Sequence, residues 1–401
     1  MQLDWKKIAI VIGLIAFGIL MAILIYVVFF RSIVSPEPTA NRQLPTTTNG
    51  TLTPGSTVNR PLGATGGDVG AQGTSGVTDT GSTPTSNTVP VISEPALAPS
   101  PLPNGDIVYY SAGKDKFLRV NREGTVSEYN SKAFFNVSNA TWSPDHERAI
   151  LEYPDGSNIM YDFSTGRQVT LPAHWREFGF SPTGERIAFK SEALDPENRA
   201  LGVANYDGSQ SRTIEAIGTK GDQFDVAWSP NNQMVGTFQQ SKDSTRSEVY
   251  FIGQNNENFK LMIVEGQDFT GTWSPDGNRI VYSVYSPTND YRPELWIADA
   301  GPNSIGDNRR RLDLETWGDK CAFGSATEVY CAVPRSLPFG AGLDRDASDT
   351  SGDLIYRLNL ETGAKALVAN TNVVAQELFV ANSNELVVTG TDRTVYKVTL
   401  P

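Results

Sequence analysis

A short phrase recurs along the second half of this chain: ATWSPDHERAILEY, FGFSPTGERIAFKS, VAWSPNNQMVGTFQ and GTWSPDGNRIVYSV. Its aromatic members are Trp142, Phe180, Trp228 and Trp273, so the steps are 38, 48 and 45 residues. Internal periods of this size belong to arrays of small units, propeller blades above all. Within each phrase an aromatic residue closes a short apolar stretch. Ser-Pro-Asp-Gly or a relative follows, and then an apolar strand. Proline presets the second position of a type I turn, and Asp, Asn and Gly suit the positions after it. Apolar runs on both sides make each phrase a β-hairpin.

Further strands follow every hairpin. NIMYDF, LGVANY, EVYFIG and ELWIAD supply a third, and RQVTLP, SRTIEA, FKLMIV and RRRLDL a fourth. Four antiparallel strands per repeat is the blade of a β-propeller. Degenerate copies around Phe323 and from Glu377, with the strands of Asp106–Asn130 upstream, bring the number of units to seven. Six or eight also fit the spacing. The last unit is one strand short, and TVPVIS (Thr88 to Ser93) can add to it and close the ring. Closure removes two exposed sheet edges. The expected class is therefore all-β. Trp142, Phe180, Trp228 and Trp273 are expected to end inner strands, with the tryptophans buried between neighbouring blades.

On Trp142 to Asp145, Ser181 to Gly184, Trp228 to Asn231 and Trp273 to Gly277, the segment 88–401 resembles the TolB-like β-propeller family, whose repeats carry a W-S-P-D-G core. The resemblance implies a propeller outside the cytoplasm that serves protein contacts. It implies no single activity, since one fold hosts many functions.

The N-terminal quarter reads differently. Residues 1–7 form a short tail, and Ile8 to Phe30 is an uncharged run of 23 residues. As a helix it spans roughly 34 Å, enough for a bilayer core of about 30 Å. It is longer than the apolar part of a cleavable signal, so it reads as a transmembrane anchor. Lys6 and Lys7 before it, against Arg31 after it, favour a cytoplasmic N-terminus. Residues 31–87 are Thr, Gly, Ser, Pro and Asn with few large apolar residues, which reads as a disordered stalk. Asn49, Asn136 and Asn139 head glycosylation sequons, for which no occupancy is expected. The net charge of −12 argues against nucleic acid as a partner.

Candidate sites are few. Cys321 and Cys331 fall on adjacent strands of one hairpin, close enough for a disulfide; the alternative is a pair of buried thiols. Their spacing and the lack of a nearby His speak against zinc. His146 reads as a solvated turn residue and His174 as a packed residue between blades. With no G-x-S-x-G elbow and no H-E-x-x-H, no catalytic, cofactor or metal residue is assigned. Pro334 to Asp353 reads as an insertion between the second and third strands of the sixth blade. Its Asp344, Asp346, Asp349 and Asp353 read as a solvated acidic loop, with calcium as the alternative. Tyr285, Tyr291 and Arg292 form a candidate binding surface, being residue types enriched in interface hot spots.

The sequence thus points to a membrane-anchored propeller that binds an envelope protein or glycan. The alternative is a propeller enzyme of the lactonase or glycan-cleaving type. Three or more carboxylates and a histidine at the central channel would favour it. A sensor reading is weakened by the seven-residue tail.

Overall fold

The computed structural model describes Met21 and residues 87–400, apart from 256, 258 and 383. The run 8–30 read as an anchor and the stalk 31–87, except for Met21 and Asn87, lie outside the described residues. No helix among the described residues is long and apolar enough to cross a membrane.

Residues 87–400 build seven sheets of four antiparallel strands each, the seven blades of a propeller. The inner strands, in blade order, are Ala96–Pro101, Asn139–Trp142, Trp175–Phe180, Phe224–Val226, Gln267–Trp273, Cys321–Ser325 and Ala375–Asn382. The ring closes as expected. Asn87–Ile92 pairs with Val395–Thr399 and supplies the outer strand of blade 7. The first described strand is thereby tied to the last blade.

Second strands are continuous apolar runs because both of their faces are covered. In blade 2, Ala149 and Leu151 pack with Tyr110 and Phe117 of blade 1, while Ile150 packs with Phe189 of blade 3. Seven such clusters, one at each blade junction, form the core among the described residues. Outer strands are shorter than the sequence suggests. RRRLDL contributes only Arg310–Arg311, and FKLMIV only Met262–Val264.

The Ser-Pro turns work through their serines. Ser143, Ser181, Ser229 and Ser274 are all buried. Each hydroxyl accepts the backbone N–H that opens the next strand, from Arg148, Arg186, Met234 and Arg279. Ser143, Ser229 and Ser274 also donate to Asp145, Asn231 and Asp276. The last turn position is left-handed in every case, occupied by His146, Gly184, Asn232 and Gly277. At Gly277 a side chain would also strike the neighbouring turn at Asn231, whose amide donates to the Gly277 carbonyl at 2.8 Å.

Two expectations about the aromatics need correction. Trp142, Phe180 and Trp273 end their inner strands, but Trp228 lies two residues beyond Phe224–Val226. The three tryptophans are half-buried, and only Phe180 is buried. Each indole sits where the blades meet solvent. Trp142 packs on Phe117, Tyr129 and Phe163 and donates to the Ala98 carbonyl of blade 1, so it does bridge two blades. The Trp228 indole donates to exposed Asn232.

Cys321 and Cys331 are opposed residues of the blade-6 hairpin and are joined by a disulfide.

Candidate functional site

In a propeller the turns between first and second strands gather at one end of the channel. The starts of the inner strands and the loops between second and third strands gather at the other. At that second end, five consecutive blades each present a carboxylate: Glu177, Asp225, Asp268, Asp319 and Glu377. Four come from inner strands. Asp319 comes from the 3-10 turn Gly318–Lys320, just before the inner strand of blade 6.

Backbone irregularity aims two of these groups. The inner strands of blades 3 and 5 shift register between Arg176 and Gly179 and between Gln267 and Thr270. Within those bulges Glu177 and Asp268 adopt left-handed conformations, with φ of 51° and 58°. Bulges commonly re-aim a side chain beside a functional site, and left-handed non-glycine residues carry a conformational cost.

The five carboxylates reach solvent yet influence one another. Recession within the channel pushes the Asp225 carboxyl up, and Glu177 and Asp268 push it further against the pull of Lys190. Asp268 is raised by the same desolvation and by Asp319, with Arg345 opposing. Glu377 is raised by desolvation and by Asp319. Like charges crowded at a recessed mouth favour the protonated forms. Two cations temper the arc from its edges. Lys190, nearly fully buried, donates to the Gly221 and Phe224 carbonyls at 2.9 Å and pairs with Glu177 at 2.5 Å. Arg345 pairs with Asp319 at 2.6 Å and lies 4.8 Å over the Trp317 ring. The Thr389 hydroxyl, on the residue directly opposite Glu377, is buried and has no hydrogen-bond partner among the described residues.

Three clefts open from the arc. One of about 340 Å³ lies between the inner strands of blades 4 and 5 and holds Asp222, Asp225, Thr237 and Asp268. A second, of about 390 Å³, shares Asp222 and Asp268 and runs outward to Tyr285, Gly342 and Leu343. A third, of about 620 Å³, holds Asp319, Arg345, Asp346, Asp349 and Gln376.

The blade-6 insertion is present as expected, between strands ending at Pro334 and beginning at Asp353. Asp344 and Asp346 are solvated as expected, but Asp349 and Asp353 are not. Lys320 and Asp353 are both 0% exposed, and the Lys320 ammonium lies 2.8 Å from Asp349 and 2.9 Å from Asp353. Asp353 also accepts from the Ala375 N–H at 2.6 Å. Asp344 caps the helical turn Arg345–Ser348. An ammonium therefore stands where the calcium alternative would put its ion. No group of three or more metal-ligating side chains occurs among the described residues.

The remaining sequence candidates separate. Tyr285 and Tyr291 come together, with ring centroids 6.4 Å apart, and Tyr291 meets Phe339 of the insertion edge to face at 5.8 Å. Arg292 turns away; it is half-buried and lies 3.6 Å from Glu315. Trp142, Phe180, Trp228 and Trp273 belong to the opposite end of the channel. His146 is not solvated. It is buried in its turn, its Nε2 lies 2.7 Å from Ser100 Oγ, and burial pulls its pKa down against the charge of Asp145. His174 is exposed rather than packed, in the turn before the inner strand of blade 3. The acidic arc was missed in the sequence. One signal was present, since Glu177 and Asp225 each stand four residues before a turn serine, Ser181 and Ser229.

No family model and no curated protein sequence matches this chain. Solved structures do. The Cps50 (Swd1) β-propeller domain of Myceliophteria thermophila aligns with a TM-score of 0.52 at 9% identity, over 79% of this chain and 98% of that one. An oligogalacturonate lyase in complex with manganese aligns with a TM-score of 0.50 at 12% identity, over 79% and 91%. TolB from Acinetobacter baumannii aligns with a TM-score of 0.42 at 14% identity, over 69% of this chain and 64% of that one. At these identities the likeness is one of fold, and the chain is a seven-bladed β-propeller.

Proposed function

We propose that this chain is a membrane-tethered, extracytoplasmic binding propeller of TolB-like kind, whose acidic channel mouth engages a cationic group on an envelope protein or glycan. The observation that carries the binding role is the arc Glu177–Asp225–Asp268–Asp319–Glu377, five carboxylates contributed by five blades around one opening. A mouth lined by one sign of charge concentrates ligands of the other and repels nucleic acid. The tether rests on the uncharged run Ile8 to Phe30 and the stalk that follows it.

An enzymatic reading has one observation in its favour. Asp225, Asp268 and Glu377 are shifted upward, as acid–base groups often are. Of the two histidines, His146 sits in a turn at the other end, while His174 lies exposed at the arc's own end, in the turn that leads into the inner strand carrying Glu177.

Titrating the full-length chain with spermine tests the binding role. Saturable binding that weakens steeply with salt, and at least tenfold in a D225N/D268N/E377Q variant, is expected. Equal binding by wild type and variant refutes it. External protease on intact cells tests the tether and should release a fragment of about 300 residues.

A further inference from the structure

The blade-6 insertion has an unusual combination of firm anchorage and displayed apolar side chains. Its base is held by Lys320 with Asp349 and Asp353, and by Trp317, Leu337 and Ala341 packed together. Its crest is held onto the blade-5 loop by backbone bonds from Gly340 to Asp290 and from Gly342 to Tyr291, at 2.8 and 2.7 Å. Gly342 presses so closely on Tyr285 that any side chain there would overlap it. Yet Phe339 is 69% and Leu343 59% exposed. A segment this well tied could have turned both inward. Large apolar groups displayed on a rigid scaffold mark an interaction surface.

The surroundings select the occupant. One cleft has Tyr285, Gly342 and Leu343 on one side and Asp222 and Asp268 on the other. Neither Asp222 nor Asp268 has an ion-pair partner among the described residues, and exposed Asp290 also has none. The nearby arginines are engaged: Arg345 with Asp319, Arg292 with Glu315, and Arg335 with Asn370 and the Thr371 carbonyl. An apolar crest beside unpaired carboxylates repels a second acidic copy of this chain and complements a basic partner.

We infer that Phe339, Leu343 and Tyr291 form a preorganised docking lip for a protein segment that carries an apolar side chain beside a lysine or arginine. The apolar side chain rests on the lip, and the basic one reaches through the cleft to Asp222 and Asp268. This rests on the cationic-ligand reading and adds to it a protein as the ligand and a second point of contact.

Labelled peptides with Lys-Trp-Lys, Lys-Ser-Lys and Glu-Trp-Glu centres, titrated against the full-length chain, test the inference. Substitutions at such exposed positions leave stability nearly unchanged, so an F339S/L343S variant stays folded. That variant is expected to bind the Lys-Trp-Lys peptide about tenfold more weakly, the usual size of a modest hot-spot loss, with Lys-Ser-Lys binding unaltered. The D225N/D268N/E377Q variant should weaken both basic peptides, and Glu-Trp-Glu should bind neither protein. Wild-type affinity of F339S/L343S for Lys-Trp-Lys overturns the lip and leaves the cationic reading standing. Undiminished binding of both basic peptides by the triple variant overturns the cationic reading itself. No saturable binding of Lys-Trp-Lys by the wild type up to about 1 mM also overturns the lip, as does a concentration-dependent dimer that F339S/L343S abolishes.

Discussion

The two ends of the channel are built by different rules. At one end, four Ser-Pro turns repeat the same arrangement: a buried serine, a polar third residue and a left-handed fourth. At the other, no two blades are alike. Blade 3 offers Glu177 beside buried Lys190, blade 5 a bulge that carries Asp268, and blade 6 a 3-10 turn and a long insertion. The repeated end is made of local hydrogen bonds that blades 2 to 5 share. The irregular end lacks that repeated turn and differs from blade to blade in charge and shape. Regularity marks the turn that blades 2 to 5 share, and irregularity marks where the proposed binding features lie.

Substitutions at the two ends sharpen this contrast. The largest loss is expected at Lys320, on the irregular end. Lys320→Met leaves Asp353, fully buried, and Asp349, whose other cation Arg345 lies 3.9 Å away, without the ammonium between them, and breaking such a buried pair costs about 3–5 kcal/mol. Chemical denaturation reads it. Adding Asp349→Asn and Asp353→Asn should recover part of the loss, and no recovery would mean that the lysine acts through packing alone. On the repeated end, Trp142→Ala removes an indole that touches three aromatic rings and bonds to blade 1. Because the ring is half-buried, about 2–4 kcal/mol is expected, near or below the low end of core aromatics. Peptide binding by the folded variant should be unchanged, and lost binding would break the separation of roles.

Opening the Cys321–Cys331 bond by a double Cys→Ser change should cost about 2–3 kcal/mol, the range for a short loop. Ser274→Ala removes a hydroxyl that joins Asp276 to the Arg279 N–H. About 1 kcal/mol is expected, and the same change at Ser229 should cost a similar amount if the turns are equivalent.

The smallest effect is a pH dependence. Asp225, Asp268 and Glu377 have folded-state pKa values above their unfolded ones. Between those two values the folded protein binds more protons, so stability falls as pH rises through the window and is recovered on acidification. Because the groups reach solvent, a rise in Tm of only about 1–2 °C is expected on going from neutral to mildly acid pH. It ends where carboxyls lowered by their bonds, such as Asp162 and Asp276, begin to protonate. The D225N/D268N/E377Q variant should lack the rise, and an unchanged profile would show that the arc is not crowded. Spermine binding should move oppositely and strengthen as these groups ionise.

Much of the fold was legible because propeller blades are local. Phrases such as GTWSPDGNRIVYSV carry turn chemistry and strand period within fourteen residues, and repetition in register removes the ambiguity of any single copy. Strand counting then led to the closing strand at Asn87–Ile92, and the opposed cysteines to the disulfide. The degree of burial of Trp142, Trp228 and Trp273 was misjudged, because it depends on which neighbouring side chains cover each ring.

The candidate site was nearly invisible. Glu177 in blade 3 and Glu377 in blade 7 are separated by two hundred residues of chain, and no local pattern relates them. Nor could the sequence show the bulges that turn Glu177 and Asp268 into the mouth, or that Lys320 would take Asp349 and Asp353 away from solvent. By itself the sequence determined a ring of four-stranded blades, since each blade is specified by contacts among near neighbours. The tertiary structure alone decided which carboxylates share an opening and which apolar groups stay displayed, because those relations arise only when distant blades are brought around a common axis.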